Sequence, residues 1–146
     1  MENGYILMLE ADAQDRELSS EYFKARKISH DFLNYSNEVM TFLNRKLIDN
    51  QALPKVIILS LHSAPETGLF VLQEIKYSDY FNHIPVVILG ENTHEEMVKR
   101  CYSEGANTFI NKPFSGEEES KKINLFLDYW FGVAELSGPK MVAATA

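Results

Sequence analysis

Three side chains able to do chemistry stand just past the ends of short apolar runs. Glu10 follows Ile6-Leu7-Met8-Leu9, Ser60 follows Val56-Ile57-Ile58-Leu59, and Lys112 comes soon after Thr108-Phe109-Ile110, with Asn111 before it and Pro113 after it. Each type allows a limited chemistry. A carboxylate holds a hard cation such as Mg²⁺, and a lysine binds an oxyanion. A serine hydroxyl attacks only after a base has removed its proton. A carboxylate at position 60 would have implied phosphoryl transfer; the hydroxyl does not. Asp12, with Ala11 separating it from Glu10, adds a second acid, so Glu10, Asp12 and Ser60 together leave open a repurposed hydrolytic or phosphoryl-transfer site or an unconventional phosphoacceptor. The other reading of Asp12 is a helix cap, with Asp15 three residues later in the first turn. His62 tempts a serine-histidine-acid reading with Ser60 and Asp12, but no G-x-S-x-G elbow is present and a surface loop histidine is the plainer reading.

These residues need a scaffold that brings strand ends together. Apolar runs at Tyr5 to Leu9, Ile28 to Tyr35, Val56 to Leu61, Ile84 to Leu89 and Thr108 to Ile110 alternate with helix-length segments. Such alternation predicts βαβ units and a parallel sheet. The runs at Ile6–Leu9, Val56–Leu59 and Val86–Leu89 are continuously apolar, as strands covered on both faces are, whereas Ile28–Tyr35 is mixed and suits an edge. The predicted fold is α/β, a flavodoxin-like (βα)₅ three-layer sandwich with strand order 2-1-3-4-5. In it the residues after strands one, three, four and five converge at one end of the sheet, among them Gly90. Leu18, Tyr22 and Ala25 line one face of the first helical segment, and Leu69, Leu72 and Ile75 one face of the third. Thr93 with Glu96 and Ser115 with Glu118 have capping-box spacing, and Glu117 to Glu119 would sit at the positive end of the last helix dipole.

Composition narrows the function classes. The chain has 146 residues, 45% hydrophobic and 24% charged, which fits one soluble folding unit. No apolar run approaches the ~20 residues of a membrane helix. The start, Met1-Glu2-Asn3-Gly4, has no basic segment or cleavable apolar stretch, and the single cysteine, Cys101, excludes an internal disulfide. The expected location is the cytoplasm. A net charge of -7 repels phosphate backbones, so nucleic acid is not an expected partner.

Several separated motifs now stand in order: Ile6-Leu-Met-Leu-Glu10, Val56-Ile-Ile-Leu-Ser60-Leu, Gly68 before Leu69, Ile84-Pro-Val-Val-Ile-Leu, Glu104-Gly-Ala106 and Lys112-Pro-Phe114. From about Tyr5 to Trp130 the chain resembles the response-regulator receiver domains of two-component signalling, of which the chemotaxis receiver is the compact form. The resemblance implies an aspartate at the third strand end that accepts a phosphoryl group, acidic residues after the first strand that hold Mg²⁺, a hydroxyl residue after the fourth strand and a lysine after the fifth. Glu10 and Lys112 match this pattern, while Ala11, Ser60 and Gly90 depart from it. The resemblance also implies that the hydroxyl residue frees space for an aromatic ring on the fifth strand, here Phe109. The chain therefore reads as an atypical stand-alone receiver that lacks the phosphoacceptor aspartate. The expected function is that of a degenerate receiver in a bacterial two-component or related phosphorelay, acting by protein contact and not as an enzyme. Glu10 and Asp12 offer only weak Mg²⁺ binding, no cofactor is expected, and Lys112 without phosphate would pair with Glu10.

The last helical segment carries a separate signal. Ile123, Phe126, Leu127 and Trp130 form the stripe expected to face the sheet, and Leu125, Tyr129 and Val133 form a second apolar set. In receivers this side is a docking and dimerisation surface, which implies a histidine kinase, an effector or a second copy as partner. The alternative is that the tail, through Leu136, Met141 and Val142, folds over the stripe. Residues 1–134 form the expected domain and 135–146 a tail expected to be disordered or folded back. Cys101, at helical spacing from Met97, reads as a small core residue.

Overall fold

The structure is a computed structural model and describes residues 4–112 and 117–133. The elements in chain order are β1 (Tyr5–Leu9), α1 (Ala13–Ala25), β2 (Ser29–Leu33), a 3₁₀ turn (Ser36–Glu38), α2 (Val39–Ile48) and β3 (Val56–Ser60). Then follow α3 (Gly68–Lys76), β4 (Val86–Gly90), α4 (Glu95–Ser103), β5 (Thr108–Asn111), α5 (Glu117–Asp128) and a π-helical turn (Tyr129–Val133). The five strands form one sheet in the order β2-β1-β3-β4-β5. Every neighbouring pair is parallel, as the alternating pattern predicts.

Strand side chains alternate between two faces, and each face has its own core. Leu7, Leu9, Ile57, Leu59, Val86 and Ile88 pack with Val39 and Leu43 of α2, Leu72 and Ile75 of α3, and Cys101 of α4. On the opposite face Ile6, Met8, Val56, Ile58, Val87 and Leu89 meet Phe23 of α1, Ile123 and Leu127 of α5, and Trp130 of the π-helical turn. This double coverage accounts for the continuous apolar runs: β3 and β4 are buried throughout, while β2, at the sheet edge, is mixed. Leu69, Leu72 and Ile75 lie buried on α3 as expected.

Two local expectations change. In α1 the buried residues are Ser19 and Phe23, with Leu18 and Tyr22 partly buried and Ala25 exposed. Leu18 and Tyr22 pack against the sheet-side core as expected, but the face widens to take in Ser19 and Phe23, and Ala25 falls outside it. Thr93 does not cap α4. His94 holds that position without a side-chain hydrogen bond, and Thr93 Oγ1 turns inward, buried and without a partner among the described residues. The expected start of the last helix, with Ser115, Glu118 and the acidic run Glu117 to Glu119, falls outside the described side chains, as do Pro113, Phe114, Val133 and the tail. Among the described residues no helix is long and apolar enough to cross a membrane.

Candidate functional site

Because all five strands run in one direction, Glu10, Ser60, Gly90 and Lys112 arrive at the same end of the sheet. A cleft of about 730 Å³ opens there, lined by Glu10, Ala11, Asp12, Asp15, Ser60 and Lys112 together with the loop residues Asn34, Tyr35, His62 and Glu91.

Local chain chemistry sets each side chain. Asp12 caps α1, its Oδ2 accepting from the Asp15 backbone N–H at 2.9 Å. Glu10 Oε2 accepts from the Asp12 N–H at 3.2 Å. These bonds fold the loop after β1 so that Glu10 and Asp15 both reach Lys112. Lys112 Nζ donates to Glu10 Oε1 at 2.6 Å and to Asp15 Oδ2 at 2.8 Å, with Glu91 Oε1 3.9 Å away. The lysine side chain is only 7% exposed, so pairing is what makes its charge tolerable there. Burial pulls the ammonium's pKa down, but the hydrogen bonds and charges of Asp15 and Glu10 outweigh it and leave the group above the ordinary lysine value.

Ser60 closes β3, 7% exposed and facing the cleft, and among the described residues its hydroxyl has no hydrogen-bond partner. Among the described residues no side chain is hydrogen-bonded to it as an activating base would be. His62 is exposed on the loop beyond. Behind Ser60, Gly68 begins α3 so close to the strand that a Cβ there would lie 2.5 Å from the Ser60 carbonyl oxygen. Thr67 caps that helix by accepting from the Phe70 N–H at 3.2 Å.

Gly90 and Phe109 stand beside the cleft and do not line it. A Cβ at position 90 would lie 2.6 Å from Phe109 Cζ and 2.3 Å from Thr93 Oγ1, so the ring and the hydroxyl fill the space that a side chain there would need. The backbone N–H of Phe109 donates to the Tyr102 hydroxyl at 2.9 Å, tying the outer strand to α4. Leu125 and Tyr129 lie elsewhere, 68% and 52% exposed.

The donor set does not fit a divalent ion. Both oxygens of Glu10 are engaged, Asp12 is spent on the cap, Asp15 faces the ammonium, and Ala11 offers nothing. Among the described residues no group of three or more His, Cys, Asp or Glu side chains is placed to hold a metal. Asp15 and Glu91 are the participants that the reading of the sequence missed. Asp15 sits in the first helical turn, and its separation of five residues from Glu10 signals proximity only once the cap geometry is known.

Comparison with known proteins agrees with this framework. The sequence profile of the response regulator receiver domain matches residues 6–124. The chain is 33% identical over 89 residues to the probable methanogenesis regulatory protein FilR2 of Methanothrix harundinacea (strain 6Ac), covering 61% of this chain but only 57% of that protein. It is 25% identical over 114 residues to the two-component response regulator ORR13 of Oryza sativa subsp. japonica, covering 77% and 89% of the two chains. In structure it is similar to the Mn(2+)-bound form of response regulator Rcp1, with a TM-score of 0.80, 26% identity, and 92% and 99% of the two chains covered. The phosphorylated cyanobacterial phytochrome response regulator RcpA shares the fold at a TM-score of 0.82 and 24% identity over the same shares. Strand order and profile match lead to one placement: this chain belongs to the response regulator receiver domain family.

Proposed function

We propose that this receiver works through protein contacts and without aspartyl phosphorylation. The observation that carries the reading is the lysine at the end of β5, already held by Glu10 and Asp15, opposite a strand end that offers Ser60 in place of a carboxylate. An acyl-phosphate needs a carboxylate, and Ser60 has neither that nor a base to make its hydroxyl a nucleophile. Gly90 supports the same conclusion. With no side chain there, Phe109 and Thr93 fill the adjoining space, and position 90 offers no hydroxyl that could move toward a phosphoryl group. The protein is a binding module, not an enzyme, and acts in the cytoplasm.

The test is phosphorylation itself. Incubation with acetyl phosphate and Mg²⁺ should leave the intact mass unchanged, and a hydroxylamine-labile phosphate would overturn the proposal.

Receiver domains in general engage histidine kinases or downstream effectors, and the surface that suits such a contact here is the last helix. Leu125 and Tyr129 expose apolar area there, with the Tyr129 ring set edge-on to Trp130 at 5.1 Å. A partner or a second copy would cover it. Tyr129→Arg should abolish self-association in light scattering or capture of the partner, and a variant that behaves like the native protein in both would remove this face from consideration.

A further inference from the structure

The acidic cleft carries a cation of its own. Glu10 Oε1 and Asp15 Oδ2 converge on Lys112 Nζ at 2.6 and 2.8 Å, and Glu91 Oε1 stands 3.9 Å off on a side chain that is 58% exposed. Ser60, nine-tenths buried with its hydroxyl unpaired among the described residues, faces the same cleft. Oxygen ligands converging on a small positive centre are what a hard divalent ion requires. Here the centre is an ammonium delivered by the chain.

We propose that Lys112 is the resident cation of this cleft, taking the place of a divalent ion and holding the loop after β1 against the end of β5. A divalent ion entering the native cleft would have to displace an ammonium from two carboxylates, one of them almost fully buried, and would leave that ammonium buried beside it. Like charges within ~4 Å in a partly dry site repel strongly. The native protein is therefore closed to divalent cations, because the two carboxylates that meet at this point are already engaged by the lysine. Asp15 supplies what Ala11 does not, but to the lysine. If the ammonium is removed without changing the acids, Glu10 and Asp15 face each other uncompensated, and the cleft becomes a divalent-cation site with Glu91 and Ser60 within its wall.

The inference deepens the proposed function, yet the two fail separately. Phosphate on the chain would overturn the first, and only metal binding bears on the second. Mn²⁺ is the probe, read by its electron paramagnetic resonance signal and by paramagnetic broadening of the amides of residues 10–12 and 60. The native protein should show no saturable binding or selective broadening. Lys112→Met should bind Mn²⁺ saturably, at least about tenfold more tightly than the limit that the absence of binding sets for the native chain, an order-of-magnitude gain expected from removing one adjacent positive charge. Adding Asp15→Asn to that variant should reverse most of the gain. If Lys112→Met does not fold alone, recovery of its circular dichroism by millimolar Mn²⁺ supports the proposal. Saturable Mn²⁺ binding in the native cleft overturns it. So does a folded Lys112→Met that gains no affinity, or an unfolded one that Mn²⁺ does not rescue.

Discussion

At Lys112, burial and pairing push in opposite directions, and pairing wins. Its folded pKa lies above the ordinary lysine value of 10.5, so the stabilisation it contributes is fully present below that pH and is lost as pH rises through the folded value. Removing one partner from a buried ion pair costs about 3–5 kcal/mol, because the remaining charges stay behind unpaired. Lys112→Met should therefore lower the free energy of urea unfolding by an amount of that order at pH 7, and the gap between it and the native protein should begin to close only above pH 10.5. A gap that narrows already between pH 7 and 9 would show that the charge of Lys112 is not its source. Glu10 and Lys112 were legible as a facing pair from their places after two strands. Asp15 was not, because a residue inside a helix reads as surface until the cap at Asp12 turns its side chain back over the strand ends. Cys101 illustrates the opposite case. Burial pushes its thiol up, with nearby Arg100 pulling the other way, and a small core residue on α4 is what its spacing from Met97 predicted.

Among the elements, two glycines mark where backbone and side chains come too close for a Cβ, and they differ in what they press against. At Gly68 the obstacle is backbone, the carbonyl oxygen of Ser60 at 2.5 Å and Leu61 Cα at 3.0 Å. At Gly90 it is two side chains, Thr93 and Phe109. Backbone gives way less readily, so Gly68→Ala should cost about 1–3 kcal/mol, the range of overpacking in a tight interior, and Gly90→Ala less. The second variant should instead move the Phe109 ring, seen as a change in its aromatic proton shifts. Equal losses at the two sites would contradict this account. Helix faces were legible where apolar residues alone formed them, as at Leu69, Leu72 and Ile75. In α1 only part of the face was legible: Leu18 and Tyr22 pack inward, but so does a serine, Ser19, that an apolar pattern does not reveal. Thr93 shows a related limit: its spacing from Glu96 matches a capping box, but His94 takes the cap position and the Thr93 hydroxyl lies buried beside Gly90.

For the whole molecule, two groups away from the cleft make stability depend on pH. The Tyr5 phenol donates to the Ala52 carbonyl at 2.8 Å, and burial first, then the charge of Asp31, push its pKa up to about 12 from 10.0. A raised acid stabilises below its unfolded value, so stability should fall as pH climbs between 10.0 and about 12, and Tyr5→Phe should flatten that limb in pH-dependent urea unfolding. Burial, reinforced by Lys76, lowers the His83 pKa below 6.5, so the unfolded chain takes up the proton first and stability declines as pH falls through that region. His83→Gln should reduce the decline, and an unchanged acid limb would exclude His83 as its cause. By itself the sequence determined the sheet, its strand order and the end at which chemistry is gathered, because continuous apolar runs with helical segments between them can bury both faces in few ways. It also determined that a hydroxyl, and not a carboxylate, closes β3. Only the tertiary structure decided that Asp15 joins Glu10 on Lys112 and that Thr93 and Phe109 fill the room beside Gly90. Burial and hydrophobic period act over many residues and are written along the chain, whereas a charge cluster depends on single side chains converging from β1, α1 and β5 to within a few ångströms.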